Sequence, residues 1–173
     1  MAKILMIVAQ SGFRDEELTI PREVLERSGH DVKVASLTRA KAQGSRGLSI
    51  TPDMAVYEAN PEFFEAVVVV GGPGSPSLAE NEDVIKLLVS ANQKGKLIGG
   101  ICLGPMALAK AGVLTGKNAT VFPDRKAISL LRETAANYRP EPVVEDGSIV
   151  TADGPQSAGK FGAALAEHLK KKA

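Results

Sequence analysis

The sequence predicts a single α/β domain spanning residues 1–173, with a mostly parallel central sheet and helices on both faces. Two observations carry this. Short, continuous runs of β-favouring apolar residues, the pattern of strands buried on both sides, alternate with segments of helical spacing. Each run ends in a glycine-rich or polar turn, and neither an internal repeat nor a linker-like stretch interrupts the alternation. A length of 173 residues suits one domain that buries about 70% of its unfolded surface. A composition of 44% hydrophobic and 24% charged residues sets aside disorder and collagen-like structure.

Taken in order, Ile4 to Val8 is a β-favouring run, followed by loop at Ser11 to Asp15. From Glu16 the spacing of Leu18, Val24 and Leu25 suits a helix, with Pro21 acceptable only in its first turn, and Ser28-Gly29 ends it with a left-handed cap. Asp31 to Ala35 predicts a strand. Thr38 to Pro52 is polar and glycine-dotted and reads as a hairpin excursion. Ala66 to Val70 is the clearest central strand, running directly into Gly71-Gly72-Pro73-Gly74. Val84, Leu87, Leu88 and Ala91 share one face of a helix that closes near Gly95. Leu97 to Ile101 is a further buried strand with Cys102 at its end. Gly104-Pro105 opens a helix through Ala111. Thr120-Val121 and Ile149 to Thr151 read as short strands, and Ala127 to Arg132 as a helix. A last helix, Ala158 to Lys171, spaces Phe161, Leu165 and Leu169 by four and gathers lysines at its negative end.

Charge and cysteine usage narrow the partners. Lysine plus arginine number 21 against 20 acidic residues, a balance that predicts no nucleic-acid groove and no membrane-binding patch. One cysteine and two histidines exclude an internal disulfide and argue against a Cys/His zinc site, so no metal is expected. No apolar run approaches the ~20 residues of a spanning helix, and the first apolar stretch lacks a cleavage pattern. A cytoplasmic protein with a free thiol is expected.

In parallel sheets, ligands bind beyond the carboxyl ends of the strands. Three segments should converge there: the loop leading to Glu16-Glu17, the Gly71-Gly72 turn, and Cys102. A cysteine after an apolar strand is commonly a small core residue. Gly104-Pro105 two residues later instead fits a strand-to-helix elbow, where a helix N-terminus lowers a thiol pKa from ~8.5 into the ~3.5–7.5 range. Both readings stand on pattern alone. On pattern alone Glu17 reads first as a helix-dipole partner in a first turn and only second as a catalytic carboxyl. Gly71 to Gly74 reads as a tight turn or as a source of bare amides for an anion. It lacks the terminal Lys-Ser/Thr of a P-loop and the third glycine of a dinucleotide site, so no cofactor is expected. His30 and His168 read as surface or capping residues.

Ile98-Gly99-Gly100-Ile101-Cys102-Leu103-Gly104-Pro105, Val69-Val70-Gly71-Gly72 and Glu17-Leu18-Thr19-Ile20-Pro21, in this order, resemble the ThiJ/PfpI family, as does Asp153 to Ser157 before the last helix. The resemblance covers essentially the whole chain. It implies a flavodoxin-like three-layer α/β/α sandwich of the class I glutamine amidotransferase-like kind, with a strained cysteine at the elbow. It further implies that a protonated Glu17 hydrogen-bonds the Cys102 sulfur and that the amides of Gly72 and Leu103 form an oxyanion pocket. Gly71, Phe122, Gly154 and Pro155 fall at the surrounding positions. Arg27 and Ser45-Arg46 match positions near the thiol and the dimer interface in the branch that includes the Parkinsonism-associated human protein, and a homodimer is expected.

Two departures bear on mechanism. The peptidase branch carries histidine directly after the cysteine, where Leu103 stands, so the base of a Cys-His pair is missing. Other members place histidine where Phe122 stands. The expected activity is that of a glyoxalase or deglycase acting on a small reactive aldehyde such as methylglyoxal through Cys102 and Glu17. The alternatives are an oxidative-stress sensor working through Cys102 oxidation and, against Leu103, an intracellular cysteine peptidase.

Overall fold

The computed structural model describes residues 1–172, and Ala173 lies outside the described residues. In chain order the elements are β1 (Lys3–Ile7), β2 (Ser11–Phe13), α1 (Asp15–Arg27), β3 (Asp31–Ser36), β4 (Ala42–Gly44), β5 (Ser49–Ile50), β6 (Met54–Ala55), β7 (Ala66–Val69), α2 (Pro76–Ala79) and α3 (Glu82–Gln93). They continue with β8 (Leu97–Ile101), α4 (Pro105–Lys110), β9 (Asn118–Ala119), α5 (Arg125–Glu133), β10 (Asn137–Tyr138), β11 (Val143–Asp146), β12 (Ile149–Ala152) and α6 (Ala158–Lys172).

The main sheet has the order β11-β12-β8-β7-β1-β3-β6. Its pairings are parallel except for the antiparallel β11–β12 edge. Period-two alternation splits its side chains between two cores. Leu5, Ile7, Val67, Val69 and Ile98 face Leu88, Leu108 and Leu131 of α3, α4 and α5. Ile4, Met6, Val68, Leu97 and Ile101 face Leu18, Leu25, Phe161 and Leu165 of α1 and α6. This is the expected three-layer flavodoxin-like arrangement, mixed α/β with helices flanking a mostly parallel sheet.

From β1 the chain crosses to β3 on one side and later returns through β7 and β8 on the other. The reversal lies between β1 and β7, the switch point where open α/β sheets form crevices. Segments following β1, β7 and β8 therefore share one sheet edge.

Three expectations need correction. The loop at residues 11–15 contains β2, which pairs with β4, while β4 pairs antiparallel with β5 in the expected hairpin excursion. The short strand expected at Thr120-Val121 lies instead at Asn118–Ala119, paired with β10. Pro21 is inside α1 rather than in its first turn. Its missing N–H deprives the Glu17 carbonyl of a helical partner, a change that costs about 3 kcal/mol in an open helix. Tertiary packing overrides that preference. Glu17, Leu18, Pro21 and Leu25 form the buried face of α1, and Gly162 lets α6 approach closely enough that a Cβ there would lie 3.0 Å from Pro21 Cα.

Candidate active site

Cys102 sits one residue beyond β8 with φ of 63°, one of two non-glycine residues in the left-handed region among the described residues. That conformation costs about 1–3 kcal/mol and persists only where the surroundings over-determine it. Here the Cys102 N–H donates to Ala152 O at 2.8 Å, and the Phe122 N–H donates to Cys102 O at 2.8 Å. The neighbouring strand end and the segment after β9 thus clamp the residue on both sides. Gly104, two residues on, passes so close to Val69 O that no side chain fits.

Glu17 reaches the same point from α1. It is fully buried on the helix face that carries Pro21 and Leu25 at i+4 and i+8. Neither carboxylate oxygen has a partner at strict hydrogen-bond geometry, although the Cys102 thiol and the Gly71 N–H approach closely enough to act on it. Gly71 is the spacer between the two groups. A Cβ at that position would lie 2.6 Å from both Glu17 Oε1 and Cys102 Cβ.

Burial lifts the Glu17 carboxyl from 4.5 to about 8, opposed by the hydrogen bond to Cys102 and by the Arg14 charge. A carboxylate without partners in a dry site is costly, so the group holds its proton at neutral pH. Burial also pushes the Cys102 thiol up to about 12, with the charge and hydrogen bond of an ionised Glu17 adding to the rise. The N–H groups of Gly72 and Leu103 donate to the sulfur and pull the other way. The low thiol pKa expected from a helix N-terminus is thereby corrected: α4 has six residues, and desolvation outweighs it. The two contributions from Glu17 belong to its carboxylate form. Below about pH 8 Glu17 is protonated and faces the sulfur as a donor, so the two groups titrate as one pair.

A cavity of ≈ 210 Å³ opens over this pair, lined by Arg14, Glu17, Gly72, Pro73, Cys102, Leu103, Phe122 and Pro155. The structure therefore gathers Cys102, Glu17, Gly72, Leu103, Phe122 and Pro155 as expected, with Gly71 beneath them. Gly154 lies behind the Phe122 ring, where a Cβ would be 3.5 Å from Phe122 Cδ1. Arg27 is not at the site. It lies ten residues along α1 from Glu17, about 15 Å at helical rise, and pairs with Glu23 at the surface. Arg46 is also exposed outside the cavity, in the β4–β5 turn, where its backbone N–H donates to Asp15 Oδ1 at 3.2 Å.

Sequence reasoning missed Arg14 and Pro73. Arg14 stands one helical turn before Glu17, so any opening above that carboxyl reaches it. Its N–H donates to Gly71 O at 2.9 Å, joining the loop after β1 to the loop after β7. Its Nε pairs with Glu16 Oε2 at 2.8 Å. Gly72, with φ of 119°, lies so close to Arg14 N that a side chain is excluded. Among the described residues no group of three or more His, Cys, Asp or Glu side chains is placed to hold a metal ion, and no helix is long and apolar enough to cross a membrane.

A model of the DJ-1/PfpI family matches residues 2–168. An uncharacterized protein of Methanocaldococcus jannaschii is 41% identical over 171 residues, covering 98% of this chain and 83% of that protein. A deglycase of Pyrococcus abyssi is 32% identical over 151 residues, covering 87% of this chain and 90% of that one. Among solved structures, a ThiJ/PfpI domain protein from Brachyspira murdochii superposes with a TM-score of 0.93 at 32% identity, covering 98% of this chain and 96% of that one. An elbow cysteine, a buried glutamate and these matches in one chain lead to one assignment: the chain belongs to the DJ-1/PfpI family, which includes deglycases.

Proposed function

We propose that this chain is a cysteine-dependent enzyme of the glyoxalase/deglycase type, acting on 2-oxoaldehydes such as methylglyoxal or on their adducts. The observation that carries the reading is the fully buried Glu17 carboxyl, which has only the Cys102 thiol and the Gly71 N–H beside it and faces that strained thiol beneath a small cavity. A carboxyl with a pKa of about 8 exchanges protons near neutral pH, which suits an acid and base in one reaction. The similarity to a Pyrococcus deglycase adds support.

Of the two groups Glu17 loses its proton first, at about 8 against about 12 for Cys102, and the Glu17 carboxylate takes the thiol proton as the sulfur reacts. The sulfur attacks the aldehyde carbon, and the N–H groups of Gly72 and Leu103 stabilise the oxyanion that forms. Glu17 gives its proton to that oxygen, completing a hemithioacetal. The Glu17 carboxylate then moves the proton on the former aldehyde carbon to the adjacent ketone carbon, while the hydroxyl proton passes between the two oxygens. The first carbon is oxidised and the second reduced, so no external oxidant is needed. The product is a thioester on Cys102. Water cleaves it to a 2-hydroxy acid and restores the thiol.

Leu103 supplies no imidazole, which disfavours peptidase chemistry. A redox role for Cys102 requires oxidation of a thiol that is only 7% exposed. Lactate formation from methylglyoxal in the absence of glutathione tests the proposal. Activity is expected in the wild type and not in Cys102→Ala, and activity that survives that substitution refutes it.

A further inference from the structure

The geometry points to a second, apolar subsite beyond Phe122 that selects 2-oxoaldehydes carrying a flat, aryl-sized substituent on the ketone carbon. This inference rests on the proposed reaction and names its substrate class. The cavity over Cys102 is not isolated. A neighbouring cavity of ≈ 260 Å³ shares Phe122 and Pro155 with it and adds Pro123, Asp153, Gly154 and Gln156.

Phe122 lines both. At 41% exposure it is among the few large apolar side chains left open to solvent. Its placement is nevertheless held by the backbone. Its N–H is bound to Cys102 O, proline follows it at position 123, and Gly154 leaves room for the ring to lie against the chain. The lining of the second cavity is mixed: Asp153, whose Oδ1 accepts from Ser157 Oγ at 2.6 Å, and Gln156 are its polar members. Its apolar share comes from Phe122, Pro123, Gly154 and Pro155. Such a surface accepts a flat apolar group in an offset-stacked or edge-on arrangement. With the aldehyde carbon at the sulfur, a substituent on the adjacent ketone carbon extends past Phe122 into this space.

The test uses two alkylating ketones that differ only in the group on the carbonyl, 2-bromoacetophenone and bromoacetone. In each, the Cys102 sulfur forms a bond to the methylene carbon and bromide leaves, so the readout does not require turnover. The ratio of aryl to methyl reaction rates is compared between the wild type and Phe122 variants, which cancels the reagents' intrinsic reactivities. Phe122→Ala is expected to lower the ratio about tenfold, the upper end of what aromatic stacking contributes. Phe122→Leu, which keeps apolar bulk and guards against loss of fold, should lower it in the same direction. Phe122→Tyr should keep it within about twofold of the wild type. A ratio that Phe122→Ala and Phe122→Leu leave within about twofold, or that Phe122→Tyr lowers equally, overturns the subsite. The phenylglyoxal to methylglyoxal turnover ratio should move in parallel. If alkylation follows the expected pattern while neither aldehyde is turned over, the subsite stands and the proposed reaction fails.

Discussion

Replacing Glu17 by glutamine isolates the free energy bound up in one buried proton. In the folded chain the carboxyl keeps its proton up to about pH 8, whereas the unfolded chain releases it near 4.5. Between those values the unfolded state binds fewer protons than the folded state, so rising pH favours unfolding by about 1.4 kcal/mol per unit. The stabilising effect of this protonated carboxyl is complete below the unfolded pKa and is lost as pH climbs to the folded pKa. Between about pH 5 and pH 8 the loss integrates to roughly 3–4 kcal/mol. The side chain is fully buried, so solvent screening does not reduce that figure as it does for surface groups. Glutamine has nearly the same shape, cannot ionise, and still presents a donor to the sulfur. Urea unfolding across this pH range should therefore show a wild-type stability that falls by about 3–4 kcal/mol beyond the change seen in Glu17→Gln. In thermal melts the differential is roughly 7–14 °C for a chain of this size. Wild-type and variant curves that run parallel would mean that Glu17 is ionised in the folded protein, and the acid–base reasoning built on its proton would collapse.

Two further substitutions probe the spacing and strain around that pair. Gly71→Ala should abolish methylglyoxal turnover and destabilise the fold by about 1–3 kcal/mol, because its Cβ would lie 2.6 Å from both Glu17 Oε1 and Cys102 Cβ; steady-state kinetics and urea unfolding read the two effects, and a fully active variant refutes the close approach. Cys102→Gly should be about 1 kcal/mol more stable than Cys102→Ala, since glycine accepts a φ of 63° without strain; equal unfolding midpoints for the two would show that the elbow is relaxed.

The parts of this molecule legible in the sequence are those written as local pattern. Ala66 to Val70 and Leu97 to Ile101 fall in adjacent parallel strands, and Gly104-Pro105 places Cys102 after its strand rather than within it. Glu17 escaped that reading: the spacing of Leu18, Val24 and Leu25 marked the helix, whereas the buried face also carries Glu17 and Pro21 in register with Leu25 at i, i+4 and i+8. What escaped depended on tertiary proximity. Gly72 looks like a turn residue, yet its bareness is demanded by the backbone of Arg14, which belongs to another loop. Pro21 breaks a rule that holds for an isolated helix, and packing against Gly162 overrides it. The thiol pKa was misjudged because a helix terminus is visible in sequence, while the cover that desolvates the sulfur is assembled from several separate segments.

The energetics at Cys102 and Glu17 differ from those of an ordinary piece of core. The left-handed backbone at Cys102 costs about 1–3 kcal/mol, and burying Glu17 costs about another 3–4 kcal/mol once the pH is above neutral. Together these approach the lower part of the 5–15 kcal/mol by which domains are stable at all. A cysteine serving only as a small core hydrophobe needs no positive φ, and a glutamate serving only the helix dipole needs no burial, because its charge acts at least as well from the solvated face of the same turn. Each bland role also predicts that substitution destabilises the fold. The geometry predicts the opposite sign for Glu17→Gln above neutral pH and for Cys102→Gly relative to Cys102→Ala. Stability given up at two residues that meet across one glycine, beneath one cavity, fits the proposed reaction better than a structural role for either.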